Sequence, residues 1–245
     1  MIKALTYNIH KGFSVGRLKY MLPRMRDALS ELSPDLMFLQ EVRGEHKRMT
    51  RPLLLSPSNQ FEFLAEEIWP HRAYGKNAIY HSGHHGNAIL SKYPFQSFEN
   101  INLSTVIRAS RSLLHGIIEL PEHHTRLHTI CIHLGLFKAE RIEQVSTLCE
   151  RIRFMIPDDE PLIIAGDFND WRKNACEILE GELGLKEVFK ESEGDFAKSY
   201  PAWGPTFRTD RIYYRDLTLK NYERLTEKRW RVLSDHLPLI AEFSI

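Results

Sequence analysis

PLIIAGDFNDW, residues 161–171, decides how this chain is read. Leu162, Ile163, Ile164 and Ala165 form an uninterrupted apolar run of strand length, bounded by Pro161 and by charge, and such a run reads as a buried strand. It ends abruptly: Asp167 and Asp170 bracket Phe168 and Asn169 where the strand would leave the core. Packing gives no reason to place carboxylates there, so chemistry has to be considered.

Working outward from this strand, apolar strand patterns recur and helical patterns interrupt them only occasionally. IKALTYNIH (2–10) reads as a strand, LKYMLPRMRDALSELSP (18–34) as a helix, DLMFLQEV (35–42) as a second buried strand and QFEFLAEEIW (60–69) as a short helix. From Ala73 to Leu134 the segments AYGKNAIY, GNAILS, FQSFENINL, SLLHGIIEL and RLHTICIHL alternate with turn-rich stretches, a meander of largely antiparallel strands. Residues 138–156 are helical, with Ile142, Val145, Leu148, Cys149 and Ile152 on the expected buried face and Glu140, Arg141, Glu143, Arg151 and Arg153 off it. A short helix is expected near 172–182, then two last strands around 211–214 and 237–245. No repeat or linker interrupts the series, so residues 1–245 read as a single domain: an α/β protein with two sheets face to face and helices outside.

The 33 Lys and Arg against 32 Asp and Glu leave a net charge of +1, which announces no polyanionic partner. Three widely spaced cysteines, Cys131, Cys149 and Cys176, make neither a disulfide framework nor a zinc site and point to a reducing cytoplasm. The N-terminal MIKALTYNIHKG enters strand alternation at once, and no apolar run approaches the roughly 18 residues of a membrane span, so an unexported, cytoplasmic protein is expected.

Polar residues stand at the ends of several of these strands: Asn8, Glu41, His133, Asp167 with Asn169, and the pair Asp235–His236. Singly, each is an ordinary turn, cap or solvated residue. Together they supply hard oxygen ligands, an acid–base set and phosphoryl donors, which is what phosphoester hydrolysis needs. The segments TYNIH (6–10), LQEV (39–42), GNAILSKYP (86–94), CIHLGL (131–136), AGDFND (165–170), TDRIYY (209–214) and LSDHLPL (233–239), in this order, resemble the endonuclease/exonuclease/phosphatase superfamily. That resemblance implies a four-layer α/β sandwich of two mixed sheets and metal-dependent phosphoester hydrolysis. It also implies Glu41 as principal magnesium ligand, with manganese a possible substitute, and Asn8 and Asp235 close by. By the same resemblance Asp167 would activate water, Asn169 would hold phosphoryl oxygens, His236 would donate to the phosphate under the orientation of Asp210, and His133 would stand on the leaving-group side. Asp170 is left structural.

Some nuclease members carry an acidic residue two positions after the first-strand Asn, where this chain has His10. His10 is therefore an alternative substrate contact, and the HSGHHG turn with His81, His84 and His85 lacks the ligands to complete a tetrahedral metal site. Arg108 and Arg111 precede a strand, GEHKRMTR (44–51) follows Glu41, and Lys228, Arg229 and Arg231 surround Trp230 shortly before Asp235, so these last two basic clusters are expected to flank one cleft. Of these, Arg48, Arg51 and Arg111 are the expected substrate-binding cations. Nucleic acid is the favoured substrate, an anionic phospholipid or inositol-phosphate headgroup the alternative, and a non-catalytic binding protein on the same fold the alternative of another class. A carboxylate-pair glycosidase would leave His133, Asp210 and His236 unexplained.

Overall fold

The computed structural model describes residues 1–17, 19–46, 59–65, 68–80, 83–104, 111–120, 125–172 and 174–245. Its strands, in chain order, are β1 Ile2–Asn8, β2 Leu36–His46, β3 His71–Tyr80, β4 Gly83–Ser91, β5 Phe95–Asn102, β6 Ser112–Leu120, β7 Thr125–His133, β8 Leu162–Asp167, β9 Lys186–Glu187, β10 Asp210–Arg215, β11 Thr218–Arg224 and β12 Leu239–Ser244. The helices are α1 Leu22–Leu32, α2 Gln60–Ala65, α3 Lys138–Met155, α4 Asn174–Leu183, α5 Val188–Glu193 and α6 Trp230–Leu233. The strands form two sheets of six, ordered β11-β12-β1-β2-β4-β3 and β5-β6-β7-β8-β10-β9.

Strand β8 shows why the layers stack as they do. All of its residues are buried, because alternate side chains serve two different cores. Ile163 and Ala165 join Ala4, Leu36, Phe38 and Ile89 between the sheets. Leu162 and Ile164 pack outward on Val145, Leu148 and Ile152 of α3 and Leu179 of α4. On the far side, Leu5, Tyr7, Met37 and Leu39 of the first sheet pack on Met25 and Leu29 of α1, Leu64 of α2 and Trp230 of α6. The result is the four-layer α/β sandwich of two mixed, mainly antiparallel sheets.

Each sheet contains one parallel pair near its centre. In the first, β1 runs parallel to β2, with Asn8 opposite Gln40; in the second, β7 runs parallel to β8, with His133 opposite Asp167. Gly166 is demanded by this second pair: its φ is +154°, and a Cβ there would lie 1.9 Å from the carbonyl oxygen of Ile132.

Local departures from the sequence reading have physical causes. The first strand stops at Asn8 instead of His10, because His10, Lys11 and Gly12 turn the chain with φ of 46°, 57° and 78°. Helix α1 begins at Leu22, where Pro23 occupies the first turn that suits it, and ends at Ser33 with φ 43°. On α3, Ile142 is 39% exposed while Glu140 and Arg141 are buried. The first turn of that helix abuts the loop after β7, and Arg141 donates to the carbonyl oxygens of Gly135 and Leu136. Three strands, not two, follow α5: β11 is an edge strand with little burial, so TLKNYER carries no apolar run to announce it.

Candidate functional site

The two parallel pairs end at one rim, where Asn8 Nδ2 donates to Asp167 Oδ2 at 3.1 Å and links the sheets. Glu41 follows Gln40 on β2 with φ 57°, in a register irregularity between Leu39 and Val42 against β4. A bulge of this kind re-aims a side chain from the sheet face toward its edge. Asp210 begins β10 and lies opposite Asp167 on β8, while Asp235 and His236 arrive just before β12. Asn8, Glu41, Arg111, His133, Asp167, Asn169, Asp235 and His236 thereby line one cavity of about 400 Å³. Its other wall is apolar and aromatic, built from Leu136, Trp171, Tyr200 and Phe207.

Asp167 is tied down at every oxygen. Oδ1 accepts from the backbone N–H of Asn169 at 3.0 Å, and Oδ2 lies 3.5 Å from His133 Nε2 and 3.9 Å from His236 Nε2. Burial pushes its carboxyl up to about 7; the His236 charge opposes this, and the Asp210 charge adds to it. Asn169, held at φ 50°, gives one amide hydrogen to the carbonyl oxygen of Leu134 at 3.0 Å.

His236 Nδ1 lies 2.8 Å from Asp210 Oδ2. Burial alone would lower the imidazole, but Asp210 beside it, with Asp167 and Asp235 beyond, holds it up at about 10. The same Asp210 oxygen accepts from Ser199 Oγ at 2.5 Å and Thr209 Oγ1 at 2.9 Å. One polar atom from each of Asp167, Asp210 and His236 lies within 4.8 Å of the others. A charged imidazole only donates, so in this state His236 offers the trio a donor and the two carboxylates offer acceptors. His133 differs: burial first, then the Arg111 charge, hold it well below the ordinary histidine value, so it is neutral.

The hard-ligand side holds Glu41, Asn8 and Asp235. Burial raises the Glu41 carboxyl, yet His133, Lys11 and His85 together bring it down to about 2. His133 acts in that sense only in acid, when it is protonated; at neutral pH the working cation is Lys11, whose Nζ lies 2.5 Å from Glu41 Oε2. His10 Nδ1 stands 3.6 Å from Asp235 Oδ1. These oxygen donors around a charged carboxylate that already holds an ammonium fit a small divalent cation in donor type and charge.

Arg111 lines the cavity, and its Nε is buried with no hydrogen-bond partner among the described residues. Arg48, Arg51 and Arg108 lie outside the described residues, as does His81. The basic cluster around Trp230 does not reach the cavity: Arg229 pairs with Glu31 and Glu227, and Arg231 Nε donates to the carbonyl oxygen of Thr226. Its carbonyl and carboxylate partners hold it on the surface beside α6, which corrects the expectation that it flanks the cleft. His84 Nδ1 pairs with the Tyr74 hydroxyl at 2.9 Å, and Asp170 is buried between Arg211 and Arg141. Sequence reasoning missed Lys11, Ser199, Thr209 and the aromatic wall. Thr209 had a visible signal, its place directly before Asp210 in TDRIYY; Ser199 had none.

The family model described as the endonuclease/exonuclease/phosphatase family matches residues 5–236. The Escherichia coli K12 protein YbhP, itself uncharacterized, is 41% identical over 99% of this chain and 96% of its own length. An endonuclease/exonuclease/phosphatase from Beutenbergia cavernae superposes with a TM-score of 0.79 at 18% identity, covering 100% of this chain and 71% of that one. A mannosyl-6-phosphatase from Bacteroides thetaiotaomicron superposes with a TM-score of 0.76 at 16% identity over 100% of both chains. With the family model matched from β1 to His236 and two converging parallel pairs carrying the polar rim, this chain belongs to the endonuclease/exonuclease/phosphatase family, whose members are metal-dependent phosphoester hydrolases.

Proposed function

We propose that this protein is a magnesium-dependent phosphodiesterase, with manganese as a substitute, acting on nucleic acid in the cytoplasm. The observation that carries the reading is the convergence of Glu41, Asp167, Asn169 and His236 on one cavity beside Arg111. Glu41, Asn8 and Asp235 would hold the cation, which when bound neutralises phosphoryl charge and polarises the phosphorus centre. Asp167, with its carboxyl at about 7, accepts a proton from the attacking water near neutral pH. The water oxygen bonds to phosphorus as the bond from phosphorus to the leaving oxygen breaks. His236, charged through Asp210, donates to a phosphoryl oxygen, and Asn169 has a second amide hydrogen for another. Neutral His133 supplies a hydrogen bond on the leaving-group side, and Arg111 grips the substrate phosphate.

A nucleic acid is favoured because Trp171 and Phe207, with ring centroids 6.2 Å apart, remain substantially exposed beside the phosphoryl site. Aromatic faces of this kind stack bases without regard to sequence. Two buried free thiols, Cys131 and Cys149, agree with a reducing compartment. Among the described residues no helix is long and apolar enough to cross a membrane.

The test is a panel of single-stranded DNA, RNA, bis(p-nitrophenyl) phosphate, p-nitrophenyl phosphate and phosphoinositide vesicles, each with magnesium and with EDTA. Magnesium-dependent cleavage of the diester and the polymers is expected. Faster turnover of the monoester or of the lipid would overturn the substrate assignment, and no turnover of any member would leave the non-catalytic alternative.

A further inference from the structure

The Lys11–Glu41 ion pair is the feature of the site for which hydrolysis has no use. Both partners are L-residues held in the left-handed region, Lys11 at φ 57° and Glu41 at φ 57°, a conformation that persists only where surrounding structure enforces it. The enforcement is visible. His10 N–H donates to Asn8 Oδ1 at 3.1 Å, and Gly12 N–H to the Ile9 carbonyl oxygen at 2.8 Å. Buried Gln60 clamps the turn to β2: its Nε2 donates to the Lys11 carbonyl oxygen at 2.8 Å, and its Oε1 accepts from Arg43 N–H at 2.9 Å. The two side chains meet with only 16% and 20% of their surface exposed. A solvated lysine needs no such scaffold.

We infer that Lys11 is a tethered cation that occupies Glu41 until a metal ion displaces it, and so sets the affinity of the site for the metal. The inference rests on the proposed reading of Glu41 as metal ligand. A charged, largely buried carboxylate is unfavourable unless paired, so Glu41 needs a counter-charge whether or not metal is bound. Lys11 supplies it in the metal-free protein. An incoming dication must take the oxygen from the ammonium, and by linkage any stabilisation Lys11 gives the metal-free state weakens metal binding by the same amount.

The experiment is calorimetric titration of magnesium and manganese into EDTA-stripped protein, with melting followed in parallel, for wild type, Lys11→Met, Lys11→Arg and Glu41→Gln. Lys11→Met is expected to bind metal about tenfold tighter, equivalent to ~1.4 kcal/mol. It should also melt lower than wild type without metal and regain the difference with metal. Lys11→Arg, which keeps the cation, should bind as wild type does. Lys11→Gln repeats the neutral variant with a polar chain if methionine packs badly. Equal or weaker metal binding in both neutral variants, with binding lost in Glu41→Gln, overturns the role of Lys11 and leaves the metal site standing. Undiminished binding in Glu41→Gln overturns both.

Discussion

His236 and His115 are both buried, and each places a ring nitrogen within hydrogen-bonding distance of one other side chain, yet they end in opposite charge states. His236 faces Asp210 at 2.8 Å and is held charged up to about 10. His115 Nε2 faces His128 Nδ1 at 2.9 Å, and burial, with that second imidazole, pulls it down to about 4. His128 in turn reaches Glu160 at 2.5 Å, but burial still lowers it. Burial sets only the penalty on charge; the partner decides whether the charge is kept. One pair is therefore equipped to donate to an anion, and the other is neutral packing between β6 and β7.

The comparison breaks most visibly at the carboxylate that shares His236. Asp167→Asn keeps size and removes the base, and turnover should fall by at least ~100-fold; retention of more than a tenth of wild-type kcat would remove Asp167 from the mechanism. Asp210→Asn takes away the charge that holds His236 up. Turnover at neutral pH should drop by roughly tenfold, and the alkaline limb of the pH profile should move to lower pH, because the imidazole now loses its proton earlier. Superimposable profiles would show the pair to be idle. Ser199→Ala deletes one of the two hydroxyl donors on Asp210 and should lower kcat by about threefold with KM unchanged, in line with one net hydrogen bond.

His115→Gln should leave turnover alone and act on stability. The sign follows from the folded value near 4 lying below the ordinary 6.5. Between these limits the unfolded chain binds more protons, so wild-type stability falls as pH falls through that window and is fully present above it. The variant should flatten the drop in melting temperature between pH 7 and pH 4.5 by on the order of 5 °C. Equal slopes for the two proteins would mean that the imidazole pair carries no acid sensitivity.

The sandwich was legible because its strands declare themselves. LIIAG and LMFL are apolar on both faces, which only a strand between two cores requires. The rim was legible because Asn8, Glu41, Asp167 and Asp235 break such runs at their ends. What remained hidden depends on contacts between distant segments. Ser199 meets Asp210 across a loop, Gln60 holds the Lys11 turn from another helix, and no local pattern encodes either. Arg141 was placed on the wrong face because periodicity knows nothing of the carbonyl oxygens waiting at Gly135 and Leu136. The basic residues near Trp230 misled for the converse reason: charge adjacent in sequence says nothing of the direction it faces.

Strand β12 lies between β1 and β11, pairing Phe243 with Ile2 and Leu239 with Thr6. β1 thus waits for β12, and two residues that line the cavity, Asp235 and His236, are separated from that strand only by Leu237 and Pro238. Contacts so distant along the chain form late and slowly. A nascent polypeptide that had not yet released residues 235–244 would hold Asn8, Glu41 and Asp167 on an unfinished sheet, without the imidazolium of His236 beside them. The polar rim would then be completed only when the closing strand takes its place between β1 and β11.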